Sequence, residues 1–278
     1  SSEEILVAKV EMIIDAGAFL GKTPSVGFRT TYECLGPYSI PNASISTVGV
    51  FTNTHNKGAM RGFGSPQAVF ASESMIDELA KELGKDPLDI RLLNALKDGD
   101  ALSSGQQLNN VTVVETIRRA IDKANYKKKY NDYYQQNQNT DKKKGIGIAS
   151  SIRGISLGGG RFDTTIATLL VQKDGSVTLI TGISEFGQGS ETAMRQIAAD
   201  ALGVPVDTIS FVQWDTGNTP DSGPTVSSRG TFMHGNAIIR AAKKVKSIMD
   251  KMACKILTAE PEEIVRGNGY IWSNNAIN

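Results

Sequence analysis

The sequence predicts an α+β protein built as two mixed lobes. Three observations support this. Segments with strand period and segments with helix period are interleaved, without the strict βαβ alternation of a doubly wound sheet. A polar, lysine-rich stretch at 127–144 separates two regions of different rhythm. The 278 residues, 40% hydrophobic and 21% charged, suffice for two domains of ordinary size. The expected division is a first lobe over 1–126, a linker over 127–144 and a second lobe over 145–278.

The elements follow in order. Residues 5–16 read as a strand, with Val10, Met12 and Ile14 alternating with Lys9, Glu11 and Ile13. Residues 43–53 read as a second, β-branched on both faces. Gln67–Leu83 is a helix that places Val69, Ile76, Leu79, Ala80 and Leu83 on one face, and Gly84 stops it. Asp86-Pro87 restarts a helix as N-cap and first-turn proline. Val113–Ala124 is another, with Val114, Ile117, Ile121 and Ala124 on a stripe. In the second lobe, Gly145–Ile152, Thr164–Gln172 and Ser176–Thr181 read as strands, the last two joined by a Lys173-Asp174-Gly175 turn. Ser190–Leu202 is a helix ended by Gly203, and 209–214 a strand. A long helix runs from Thr231 to about Leu257, with Ile238, Ala241, Val245, Ile248, Met252 and Ile256 expected inward. Gly267-Asn268-Gly269 leads into a last strand at Tyr270-Ile271-Trp272.

Composition excludes several classes. The net charge of +1 gives no electrostatic case for nucleic acid or an anionic membrane. No apolar run reaches the ~20 residues of a membrane helix. The acidic start does not read as a secretory signal. The two cysteines, Cys34 and Cys254, form no CxxC and no disulfide framework, so a reducing cytoplasm is expected. The only histidines are His55 and His234, so a transition metal is expected to arrive inside an organic ligand rather than on protein side chains.

Two glycine-rich stretches carry the functional signal. Gly58-Ala59-Met60-Arg61-Gly62-Phe63-Gly64-Ser65-Pro66-Gln67 turns a loop into a helix start, with a fixed positive charge at Arg61 and a flat apolar face at Phe63. Phe186-Gly187-Gln188-Gly189-Ser190-Glu191-Thr192 repeats the arrangement around an amide that both donates and accepts. A third segment, 214–230, is rich in small hydroxyl residues and leads into the long helix. Its Thr225, Ser227 and Ser228 are placed to bind phosphate together with that helix's N-terminus. A fourth, 153–160, leaves a strand and ends in three glycines. From the residues alone, each stretch is either a ligand-gripping loop or a plain capped turn.

The order and sequence of these segments resemble the molybdenum-binding subunit of the xanthine dehydrogenase and aldehyde oxidoreductase family, from about residue 5 to about 245. Ala59–Gln67, Phe186–Gly189, Pro220–Gly230 and Tyr38-Ser39-Ile40-Pro41-Asn42 carry the resemblance. It implies that the lobes are those of a molybdopterin-binding domain, incomplete at both ends, and that the metal is held by the pterin dithiolene. It implies that Arg61 and Ser227 lie beside the molybdenum. It also implies that Phe186, Gly187, Gln188, Ser228 and Gly230 contact the pterin or its phosphate. Phe63 matches an aromatic over the substrate ring, Arg29 a substrate-orienting arginine, and Leu157 stands where a second ring-clamping aromatic is expected. The implied reaction is hydroxylation of an N-heteroaromatic or aldehyde with water as oxygen source. The electrons would pass to iron–sulfur and FAD groups on partner subunits or domains. Whether the pterin carries a cytosine dinucleotide is left open.

The departures are informative. A base is needed to deprotonate the attacking water. The family's glutamate for that role has no match among residues 246–278, and a loop expected ahead of residue 5 is absent. No catalytic residue is therefore assigned within this chain. The remainder of the subunit is expected to supply the base, and the isolated chain is not expected to turn over. A non-catalytic pterin-binding or assembly module and a plain nucleotide-binding domain are the alternative readings.

Overall fold

The computed structural model describes residues 4–158, 162–212 and 215–274. Two compact units emerge, Ser1–Arg153 and Gly154–Asn278.

In the first unit, β1 (Val7–Gly17) and β2 (Asn42–Phe51) pair in parallel, with Val7 opposite Asn42 and Asp15 opposite Val50. Parallel neighbours need a crossover, here α1 (Thr23–Glu33). α1 lies close on the sheet because its inner face is small. A Cβ on Gly27 would meet Ile14 and Thr47 at 3.4 Å, and the Thr31 and Thr47 hydroxyls are 2.6 Å apart. α2 (Ser65–Glu82) ends at Leu83, followed by Gly84 at φ +63°. α3 (Pro87–Asn94) is capped by Asp86, whose carboxylate accepts the Leu88 N–H at 2.8 Å. α4 (Val113–Ala124) and α5 (Tyr126–Gln136) meet at Asn125, which has φ +51°.

Tyr38, Ile76, Ala80 and Ile90 form one apolar core of this unit, and Leu88, Ile117 and Tyr126 another. Between helices, Glu73 and Arg91 form a buried ion pair at 2.9 Å. The Tyr38 hydroxyl donates to Glu73 at 2.5 Å, and the Ser150 N–H donates to its second oxygen at 2.9 Å. So many donors satisfy the carboxylate that its burial is tolerated.

The second unit holds a three-stranded sheet in the order β3 (Ala167–Val171), β4 (Val177–Thr181), β5 (Ile209–Val212). β3 and β4 are an antiparallel hairpin, whose turn has Gly175 at φ +85°; β4 and β5 are parallel. α6 (Ser190–Leu202) makes the crossover and packs on α7 (Gly235–Leu257). β6 (Ile264–Gly267) and β7 (Tyr270–Ser273) close the chain as a hairpin. Leu179, Met194, Ala198, Ile209, Ile238 and Ala242 are the centre of the core. Each large apolar side chain among them contributes about 1.5–3 kcal/mol by burial.

Several expectations need correcting. Residues 145–152 have no strand partner among the described residues; Ile146 and Ile148 instead pack on the Leu88–Ile117–Tyr126 core. The first compact unit runs to Arg153, and α5 covers the start of 127–144, the stretch read as a solvated helix end and linker. The inward stripe of α7 is shorter than its periodicity. Ile238 and Ala242 are buried, but Ile248, Met252 and Ile256 are 63%, 58% and 76% exposed. Periodicity marks a stripe but not how far the neighbouring elements extend along it. α7 begins at Gly235 rather than Thr231, after a π-helical turn over Gly230–His234. Positions 213–214 of the strand expected at 209–214 lie outside the described residues.

Candidate functional site

In the first unit, the loop before α2 has three successive residues with left-handed backbone: Gly62, Phe63 and Gly64, at φ +93°, +54° and +98°. Glycine is required at Gly64, because a Cβ there would stand 2.3 Å from the Thr30 hydroxyl. Phe63 has no such freedom and holds a conformation that costs about 1–3 kcal/mol. The surroundings enforce it. Phe63 N–H donates to the Met60 carbonyl at 2.8 Å and Ser65 N–H to that of Gly62 at 3.1 Å. An Arg153 guanidinium nitrogen donates to the same Gly62 carbonyl at 2.5 Å. Below the turn lies Glu33, buried, which accepts from the Ser65 hydroxyl and from Arg153 at 3.2 Å. Its other oxygen accepts from Arg29 at 3.2 Å. The structure thus gathers Arg29, Arg61 and Phe63 around one turn. Arg29 is tied to Glu33, Phe63 is half-buried and Arg61 is exposed. Glu33 was not a sequence candidate, and Arg153 stood only at the head of the 153–160 stretch with no partner indicated, since their contacts span 32 to 120 residues. A groove of about 790 Å³ between β1 and α2 is mostly apolar and includes none of Arg29, Arg61 and Phe63.

In the second unit, residues 184–190 form the turn into α6. Gly187 and Gly189 have φ +102° and +80°, and a Cβ on either would meet nothing within 4 Å. Phe186 is 71% exposed. The Gln188 amide is largely spent on its own loop. Its carbonyl accepts the Phe186 N–H at 2.8 Å, and its NH₂ donates to the Ser184 carbonyl at 2.7 Å and the Ser190 hydroxyl at 2.6 Å. The α6 N-terminus is also partly engaged. Glu185 accepts the N–H groups of Gly187 at 2.7 Å, Gly189 at 3.1 Å and Glu191 at 3.0 Å. Those bonds, the Glu191 one foremost, hold its carboxyl below the usual range.

Residues 220–230 lie against the same turn. The Ser184 N–H donates to the Thr225 hydroxyl at 2.9 Å, which occupies an oxygen expected to bind phosphate. A Cβ on Gly230 would stand 3.1 Å from Ile183. Ser227 and Ser228 have φ +55° and +54°, and Ser228 is exposed. The structure therefore draws Phe186, Gly187, Gln188, Ser227, Ser228 and Gly230 to two loops that are fastened together. Beneath them, Arg229 is buried and paired with Asp163. The Asp163 carboxyl is held down to about 2, chiefly by the Arg229 hydrogen bonds. His234 is fully buried one turn further on. Thr181 donates its hydroxyl proton to the Ile166 carbonyl at 2.9 Å, so His234 Nδ1 must donate to that hydroxyl, at 2.7 Å. Nε2 is then a bare lone pair, and it has no partner. Burial, then the Arg229 charge, pushes this imidazole down to about 4. Gly159, Gly160 and Trp214 of the sequence candidates lie outside the described residues.

Fold and family together define a cofactor-binding α+β protein, with glycine-rich turns at two of its helix starts. The chain belongs to the molybdopterin cofactor-binding domain family: one family model matches residues 119–277, more than half of the chain, and a second matches residues 1–95. It is 33% identical to a probable xanthine dehydrogenase component of Bacillus subtilis, over 99% of this chain and 36% of that protein. Quinoline 2-oxidoreductase from Pseudomonas putida 86 superposes with TM-score 0.82 and 28% identity, over 99% of this chain and 36% of that one. Aldehyde oxidoreductase from Desulfovibrio desulfuricans gives TM-score 0.77 and 30% identity, over 88% and 27%. The chain thus spans about a third of the length of these relatives.

The residues fit such a cofactor. Open space stands beside Gly187 and Gly189 on a loop with an exposed aromatic, Phe186. Among the described residues no group of three or more His, Cys, Asp or Glu is arranged to hold a metal. No helix of the described residues is long and apolar enough to cross a membrane.

Proposed function

We propose that this chain is the cofactor-binding portion of the catalytic subunit of a molybdenum hydroxylase that oxidatively hydroxylates an N-heteroaromatic or aldehyde substrate. The observation that carries the reading is the fastening of the 184–190 turn to the 220–230 loop through Ser184 and Thr225, with Phe186 and Ser228 exposed beside the glycines. When bound, the molybdenum–pterin group supplies two-electron redox chemistry with water as the oxygen source. This chain's residues bind and orient. Phe186, Gly187, Gln188, Ser228 and Gly230 are assigned to the pterin and its phosphate. Arg61 and Ser227 are assigned to the surroundings of the metal. Phe63 offers a flat apolar face to a substrate ring, and Arg29, fixed by Glu33, offers a positive charge to orient it. The general base, the iron–sulfur groups and the flavin are assigned to the remainder of the subunit and to partner subunits. Cys34 and Cys254 are both free thiols, which supports a cytoplasmic setting.

The test is the molybdenum and pterin content of the full-length protein purified from its native host. One molybdenum and one pterin per subunit are expected. A full-length protein that contains neither, while a nucleotide co-purifies, sinks the assignment in favour of a nucleotide-binding domain.

A further inference from the structure

Arg229 follows the two serines assigned to the cofactor, and a positive charge there suggests a phosphate ligand. The geometry excludes that role. The side chain is 1% exposed, and all of its nitrogens are engaged inside the protein. Nε donates to Asp163 at 2.8 Å. One terminal nitrogen donates to the carbonyls of Ser222 and Pro224 at 2.7 and 2.9 Å. The other donates to the Thr164 carbonyl at 2.9 Å, the Thr165 hydroxyl at 3.1 Å, and Asp163. The second Asp163 oxygen accepts the Ser156 hydroxyl and, at 3.2 Å, the Leu157 N–H. Ser156 N–H in turn donates to the Ser227 carbonyl at 3.0 Å.

We propose that Asp163 and Arg229 are a positioning pair that sets two binding loops as one unit: Pro224–Ser228 on the cofactor side and Ser156–Leu157 on the substrate side. The inference rests on the functional reading above. The pair spans Ser156–Leu157, Asp163–Thr165 and Ser222–Pro224. The consecutive left-handed residues Ser227 and Ser228 sit between Pro224, held by the Arg229 side chain, and Arg229 itself. Such a backbone persists only where its surroundings over-determine it. A planar five-donor fork meets these acceptors at once; the three donors of a lysine converge on a single nitrogen and cannot.

The test uses the full-length subunit with Asp163→Asn and Arg229→Lys. Three quantities are read: molybdenum and pterin per chain, amide hydrogen exchange, and the paramagnetic resonance spectrum of the partly reduced protein. Removing groups that orient a metal site from behind commonly costs about tenfold or more in metal affinity. A loss of about tenfold in molybdenum and pterin retention is therefore expected on dilution. The Ser156, Leu157, Ser184 and Arg229 amides should exchange faster, Leu179 and Met194 should stay protected, and the resonance of the loaded fraction should be altered. Wild-type cofactor retention with unchanged exchange at those four amides overturns the proposal, and so does equal loss of protection throughout the core. If either variant does not fold, Ser156→Ala removes one bond to Asp163 while leaving the ion pair, and the same readings decide. If the wild-type protein itself carries no molybdenum–pterin, the functional reading fails, and the exchange data alone still decide whether the pair sets both loops.

Discussion

Acidification tests the packing around His234. The ring is fully buried, donates through Nδ1 to Thr181, and has Arg229 among its charged neighbours. Its folded pKa is about 4, against 6.5 for an unconstrained histidine. Between those values the unfolded chain binds a proton that the folded chain refuses, so stability falls as pH drops through that window. The gap of about 2.5 pH units, at about 1.4 kcal/mol per unit, bounds the total loss near 3 kcal/mol. About 2 kcal/mol of it is gone by pH 5. For a unit of this size that corresponds to a fall of roughly 4–8 °C in midpoint. Asp163 has the usual carboxylate behaviour: its contribution is present above 3.8 and is lost only as pH falls toward about 2, outside this window. The assay is calorimetric unfolding of the full-length protein between pH 7.5 and pH 5, on the wild type, His234→Gln and a His55→Gln control. The His234→Gln profile should be flatter than the other two. An equal fall in all three refutes the assignment of the pH dependence to this ring.

Two further outcomes follow from the loops. Gly64→Ala forces a methyl to 2.3 Å from the Thr30 hydroxyl at φ +98°, so a loss of roughly 2 kcal/mol or more is expected, read by urea unfolding of the full-length protein. An unchanged midpoint would show that the turn relaxes freely. Gln188→Ala leaves the Phe186 N–H and the Ser184 carbonyl to solvent, which rehydrates them on this exposed loop, so the cost to folding is below about 1 kcal/mol while the loop loses the amide that sets its shape. Molybdenum content should fall in the intact complex while the unfolding temperature changes little; full retention counts against this loop as a cofactor contact.

Much of the fold was legible where a stripe and a stop signal coincide. α4 lies at Val113–Ala124 and α6 at Ser190–Leu202 with Gly203 as its stop, as their apolar spacing indicates. α1 left no comparable trace. Its buried face is Thr23, Val26, Gly27, Thr30 and Glu33, small and polar groups that suit close packing on a sheet and carry no hydrophobic period. Residues 145–152 alternate as a strand does, yet alternation does not supply a pairing partner. Of the site, the glycine turns were visible because positive φ demands particular residues. Their supports were not. Glu33 reaches Ser65 across 32 positions, and Asp163 reaches Arg229 across 66. Single-sequence pattern does not encode such pairings, and Glu185 as an N-terminal partner of α6 lies outside the usual cap position.

The turn at Phe63 has a bearing on how this protein tolerates change. Asparagine or glycine would take up that backbone shape with less strain. A bulky ring persists there against the local preference of the chain, steadied from below by Glu33 and Arg153. A stability-guided redesign would replace this position early, and in doing so would remove the ring that the proposed function assigns to the substrate.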